Sequence, residues 1–242
     1  VVIYGRRRVG KTALINHFID DKKSIYFMGV ESNEKQNLEN LSRSIMEYSN
    51  DMPEDTYFAS YQAALEYVFK ISEKERVILT IDEYPYVARE SKSLASTLQL
   101  LIDKYKDTSR LMLILCGSSM SYMEDHVLAY KAPLYGRRTA QFKLHPFSYF
   151  EAKEMLSEFS TEEQAVLYGV TGGIPEYLSR IRSNQSMDDN IKELFFDESG
   201  RLFDEPGNLL KQELQDPSSY HSIITAIAGG ASRLNEIATK TG

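Results

Sequence analysis

The chain has 242 residues, with 28 basic and 35 acidic side chains giving a formal net charge of −7, and 42% of its residues are apolar or aromatic. Against about 150 residues for a typical domain, that describes one large or two unequal globular domains, and it excludes a disordered chain or a surface that is basic overall. The single cysteine, Cys116, excludes an intrachain disulfide; the four histidines are scattered without zinc spacing, and no apolar run approaches the ~20 residues of a membrane helix. A reducing, cytoplasmic setting without membrane attachment is expected. The chain opens on Val1 in a strand-like run, with no leader composition before it, which reads as a fragment of a longer protein.

Short apolar runs alternate with helical patterns along the first half. Strands are expected at Val1 to Tyr4, Ile25 to Val30, Val77 to Ile81, Leu111 to Cys116 and Ala140 to Leu144. Helical spacing joins Ala13 to Ile19, then Leu38, Leu41, Ile45 and Tyr48, then Tyr61, Leu65, Val68 and Phe69, then Leu94, Leu98, Leu101, Ile102 and Tyr105. Parallel strands need long returns, and right-handed crossovers cover both sheet faces, so the pattern predicts an α/β three-layer sandwich around a five-stranded parallel sheet. After Leu144 helix starts take over: Ser148 with Glu151 and Thr161 with Gln164 both fit a capping box. Residues 197–208, rich in Gly, Pro and acids, read as a loop, and Pro217-Ser218-Ser219 as a further boundary.

Chemistry concentrates in four places. Gly5-Arg6-Arg7-Arg8-Val9-Gly10-Lys11-Thr12-Ala13 fits G-x-x-x-x-G-K-[ST] between a strand and a helix. In that pattern backbone N–H groups and a helix N-terminus cradle phosphates, Lys11 reaches the β and γ phosphates, and Thr12 is a Mg²⁺ ligand. Arg6, Arg7 and Arg8 either add phosphate contacts or are exposed charges on a turn. The run Val77-Ile-Leu-Thr-Ile-Asp82-Glu83 ends a strand in paired acids: Asp82 suits Mg²⁺ and Glu83 a general base that activates water, the bland alternative being a solvated turn begun by Pro85. The strand ending Cys116-Gly117-Ser118 would set Ser118 against the γ-phosphate if it lies between the strands bearing Lys11 and Asp82. No N-K-x-D motif is present and Asp82-Glu83-Tyr84-Pro85 is not the D-x-x-G of GTPases, so GTP is disfavoured, and the Asp-Glu pair favours hydrolysis over phosphoryl transfer.

Together these residues resemble the AAA+/STAND branch of P-loop ATPases, and are similar to the archaeal-type ATPases of prokaryotes. The resemblance runs over nearly the whole chain through GRRRVGKTALI, ILTIDEYPYV, LILCGSSMSYM, PLYGRR, FKLHPFSYFEA and TGGIPEYL. It implies a P-loop ATPase core over 1–146, a helical lid over 147–215, and over 216–242 the start of a winged helix-turn-helix, in which Ile223, Ile227, Leu234, Ile237 and Ala238 would pack two helices together. It further implies an arginine finger in the Arg137-Arg138 pair, with Arg138 preferred, against the plain reading of a solvated basic pair. Gly173 and Pro175 resemble the G-x-P signature that couples nucleotide state to the lid, though Pro is also an ordinary helix start. Relatives carry an upstream adenine-seating segment before the position of Val1.

The function expected is an ATP-hydrolysing, Mg²⁺-dependent molecular switch alternating between ATP and ADP, its state passed through the lid to a C-terminal effector or DNA-binding module. The alternative is a nucleotide-bound regulatory or DNA-binding protein with negligible turnover. Partners expected are ATP, a second copy of the chain or a regulatory protein, and DNA only through the incomplete C-terminal helices.

Overall fold

The structure, a computed structural model, describes residues 1–49, 57–213 and 216–242. Two compact units emerge, Val1–Pro146 and Phe147–Gly242. The first runs β1 (Val2–Gly5), α1 (Lys11–Ile19), β2 (Ser24–Met28), α2 (Glu34–Ser49), α3 (Tyr61–Lys74), β3 (Val77–Asp82), α4 (Tyr84–Glu90), α5 (Leu94–Tyr105) and β4 (Leu111–Gly117). A short α6 (Met120–Tyr122) then enters a π-helical segment (Met123–Leu128) before β5 (Gln141–Leu144). The five strands form one parallel sheet in the order β2-β3-β4-β1-β5, so β4 lies between β1 and β3.

Each sheet face buries its own apolar set. On one face Ile15 of α1 packs with Ile3, Ile78, Ile114 and Cys116. On the other, α2, α3 and α5 supply Leu41, Ile45, Leu65, Val68, Leu98 and Leu101 against Val2, Tyr4, Ile25, Phe27, Leu79 and Ile81. β3 is buried at every position, which is why it reads as a continuous apolar run, whereas the edge strand β5 exposes Phe142. This is the α/β sandwich of a P-loop NTPase.

The second unit continues with α7 (Tyr149–Met155), α8 (Thr161–Thr171), α9 (Pro175–Leu178) and α10 (Met187–Ile191), which runs into a π-helical segment (Lys192–Phe196). α11 (Glu205–Glu213), α12 (Pro217–Ala228) and α13 (Leu234–Thr241) complete it. The capping box at Ser148 and Glu151 is formed as expected. The second box is shifted by one residue: Ser160 caps α8 with Glu163, because a carboxylate answers the N-cap N–H better than an amide. Gln164 is instead buried, its Nε2 donating to the Leu156 and Phe159 carbonyls.

Two further expectations are corrected. Residues 205–208, read as loop, belong to α11, with Pro206 in the first turn where its missing N–H costs nothing. Pro217 likewise opens α12 behind an Asp216 N-cap, while the expected boundary at residue 215 lies outside the described residues. The contact of α12 and α13 is also not the one expected. Ala226 of α12 and Ala231 of the connection are buried, while Ile223 and Ile227 are exposed and Leu234 is 84% exposed. No helix among the described residues is long and apolar enough to cross a membrane.

Candidate functional site

The phosphate loop leaves the carboxyl end of β1 and returns into α1. Gly10 takes φ 92°, the left-handed conformation that lets the loop turn into the helix, and no acidic side chain occupies the first turn of α1. The helix N-terminus therefore keeps its positive potential for an anion. Arg8 also has positive φ, 68°, and such a conformation at a non-glycine residue stores on the order of 1–3 kcal/mol. Val9 is buried and anchors the loop, while Ala13 is exposed on α1. Lys11 is buried, and its Nζ donates to the carbonyls of Gly5 (2.9 Å) and Arg6 (2.7 Å). Burial pulls its ammonium below the ordinary lysine value, and the charges of Glu83 and Asp82 oppose that shift.

One strand beyond β4, the end of β3 faces the loop. Thr12 Oγ1 donates to Asp82 Oδ2 at 2.8 Å, Tyr26 Oη donates to the same oxygen at 2.7 Å, and the Glu83 N–H donates to Asp82 Oδ1 at 2.9 Å. Burial alone would raise the Asp82 carboxyl, but donors from Cys116, Tyr26, Thr12 and the Glu83 backbone hold it below the usual carboxylate range. The paired acids do not begin a solvated turn. Glu83 is the N-cap of α4 in left-handed conformation, φ 49°, and Pro85 sits in that helix's first turn. From this cap its carboxylate accepts from Ser118 Oγ at 2.9 Å and from the Ser118 N–H at 3.2 Å.

Gly117, just before Ser118, is required by packing: a Cβ there would stand 2.8 Å from Pro85 Cδ and 2.7 Å from Met123 Sδ. α4 also ties the loops together, since Arg7 donates to Tyr86 Oη at 3.0 Å and Arg89 to Ser119 Oγ at 3.2 Å.

The structure thus brings Gly5, Gly10, Lys11, Thr12, Asp82, Glu83 and Ser118 to the carboxyl edge of one sheet. It does not bring Arg138 there. Arg137 and Arg138 precede β5, whose Gln141 pairs with Val2 and Leu144 with Gly5, so both arginines lie at the amino edge of the sheet. Arg137 forms a bidentate pair with Asp103 (2.8 and 2.6 Å), while Arg138 lies 5.5 Å from the Tyr135 ring and donates to Leu128 O at 3.4 Å. In the second unit, Gly173 has φ 70° and a Cβ on it would meet the Phe147 carbonyl at 2.2 Å, which gives this glycine a packing reason of its own; Pro175 opens α9. Tyr26 is the participant that sequence reasoning missed, its only signal being a hydroxyl-tipped residue among the apolar side chains of β2.

Hard oxygen donors at Thr12 and Asp82, beside a lysine and a helix N-terminus, suit a magnesium-bound polyphosphate. Mg²⁺ takes one or two protein oxygens and fills its remaining positions with water and phosphate. Fold and site together define a P-loop NTPase.

The comparisons with known proteins narrow the class. Residues 1–181 match the family described as "ATPase domain predominantly from Archaea", and the chain belongs to that family. It is an ATPase domain. An uncharacterized protein of Methanocaldococcus jannaschii, MJECL04, is 33% identical over 239 residues, which make up 98% of this chain and 51% of that one. The chain therefore spans about half the length of this curated relative. The Walker-type ATPase PABY2304 of Pyrococcus abyssi shares the fold, with a TM-score of 0.67 and 21% identity over 98% of this chain and 77% of that one.

Proposed function

We propose that the site binds Mg²⁺-ATP and hydrolyses its γ-phosphoryl bond, with Glu83 as the base that takes the proton of the attacking water. The observation that carries this reading is the Glu83 carboxylate held by Ser118 beside an Asp82 already bonded to Thr12. Backbone N–H groups of residues 5–13 and the α1 N-terminus hold the phosphates, and the Lys11 ammonium leaves the loop carbonyls to meet the β and γ oxygens, where charge accumulates in the transition state. Thr12 and Asp82 would hold Mg²⁺, which when bound neutralises charge on the β and γ phosphate oxygens. Glu83 aligns and deprotonates water, and Ser118, just after the strand that lies between those leading to Lys11 and Asp82, orients Glu83 while its hydroxyl faces the same phosphate.

The remaining assignments belong to the same reading. Residues 147–215 serve as a lid and 216–242 as the beginning of a winged helix-turn-helix, with Gly173 and Pro175 coupling nucleotide state to the lid in a STAND-type switch. Arg138 serves a neighbouring copy's nucleotide. DNA or a regulatory protein receives the state through the C-terminal module.

The test compares phosphate release from Mg²⁺-ATP by the full natural chain with that of Lys11→Ala and Glu83→Gln, alongside nucleotide binding. Lys11→Ala is expected to lose binding and turnover together. Glu83→Gln should keep binding and lose about 10²–10⁴-fold in turnover, the usual contribution of a positioned base. Undiminished hydrolysis in Glu83→Gln removes Glu83 from the chemistry. A parent chain that binds nucleotide without turnover would favour the regulatory reading, which the double engagement of Glu83 by Ser118 also suits.

A further inference from the structure

Three donors converge on the Asp82 carboxylate, and none of them carries a charge. Oδ2 accepts from Thr12 at the start of α1 and from Tyr26 on β2, and Oδ1 accepts from the Glu83 backbone. A lysine or arginine in any of these places would cancel the negative charge that a cation requires. Neutral donors fix the plane of the carboxylate and leave its charge available.

Strand pairing brings Tyr26 and Asp82 together as diagonal neighbours on one face of the sheet. In the parallel register of β2 and β3, Tyr26 stands opposite Thr80, and Met28 stands opposite Asp82. The hydroxyl of Thr80 is buried with no hydrogen-bond partner among the described residues, yet the Tyr26 hydroxyl passes along the strand to Asp82. A phenol is protonated at neutral pH and acts here as a donor.

We propose that Tyr26 is a positioning residue of the nucleotide site, its hydroxyl orienting the Asp82 carboxylate toward the divalent cation that accompanies the nucleotide. The proposal rests on the reading of Thr12 and Asp82 as the Mg²⁺ residues. Partners that orient a metal-binding carboxylate typically contribute 10–100-fold to metal affinity, and that sets the expected effect of removing this one.

The experiment uses the full natural chain and its Tyr26→Phe variant, which deletes one oxygen and keeps the buried ring. Binding of a non-hydrolysable ATP analogue is measured calorimetrically in EDTA, then at fixed analogue across a Mg²⁺ titration. In EDTA the variant is expected to bind as the parent does, while its Mg²⁺ midpoint rises by about 10–100-fold. An unchanged midpoint overturns the proposal. Equal losses with and without Mg²⁺ also overturn it, because they show a structural role for the ring contact. A parent chain whose binding does not respond to Mg²⁺ fails at an earlier step: it removes the reading of Thr12 and Asp82, and the role of Tyr26 with it.

Discussion

Ser118 and Glu83 form a pair whose value depends on direction. A glutamate at a helix N-cap in left-handed conformation would ordinarily swing freely, but two donors from one residue hold a single carboxylate oxygen. Ser118→Ala removes the hydroxyl and leaves the N–H at 3.2 Å, so the carboxylate is loosened and not released. A hydrogen bond to a charged group contributes about 1.5–3 kcal/mol, which predicts that kcat falls by about 10–100-fold. KM for ATP should stay at the parent value, since Lys11 and the loop are untouched. Steady-state kinetics of the purified variant decide it, and a rise in KM at constant kcat would instead make Ser118 a binding residue.

At the scale of elements, the central contact is α4 against the end of β4, where Pro85 and Met123 leave no room beside Gly117. Gly117→Ala is expected to destabilise the chain by about 1–3 kcal/mol through overpacking, and to lower turnover because Ser118 follows immediately. Gly169, exposed within α8 and with no atom within 4 Å of where a Cβ would stand, supplies the opposite case: Gly169→Ala should stabilise by about 0.5–1 kcal/mol. Urea unfolding of both variants tests the pair, and a Gly117→Ala chain no less stable than the parent would show that the Pro85 contact relaxes freely. The phosphate loop and the five strands were legible in the sequence because their signals are local: an apolar run, a glycine spacing, a hydroxyl after a lysine. The Asp82–Glu83 pair was legible as chemistry, but its conformation as a helix cap depends on Pro85 packing against Gly117, a contact between distant parts of the chain that periodicity does not reveal. Tyr26 meets Asp82 only through strand pairing. The choice of Ser160 over Thr161 as cap was ambiguous because S-x-x-E and T-x-x-Q are offset by a single residue, and Gln164 had a buried task that nothing nearby announces.

Across the whole molecule, the position of Arg138 constrains how it can take part in hydrolysis. Strands in a parallel sheet point one way, so the residue preceding β5 and the loop following β1 are separated by the length of the strands, about 13 Å for four residues at ~3.3 Å each. An arginine at the amino edge can serve a nucleotide only on another copy, in a head-to-tail contact that sets the amino edge of one sheet against the carboxyl edge of the next; such contacts generate rings or filaments. Arg137, held by Asp103, stiffens the segment that presents it. Arg138→Ala is then expected to lower ATP turnover by about 10³-fold or more, the usual contribution of an arginine finger, while ATP binding by the isolated chain is unchanged. The decisive measurement mixes Arg138→Ala with Glu83→Gln. Each variant is impaired alone, but a mixed assembly joins an intact Glu83 on one copy to an intact Arg138 on the next, so turnover should exceed the sum of the two preparations. A mixture no more active than that sum rules out action between copies, and an Arg138→Ala chain as active as the parent reduces Arg138 to a surface charge against Tyr135.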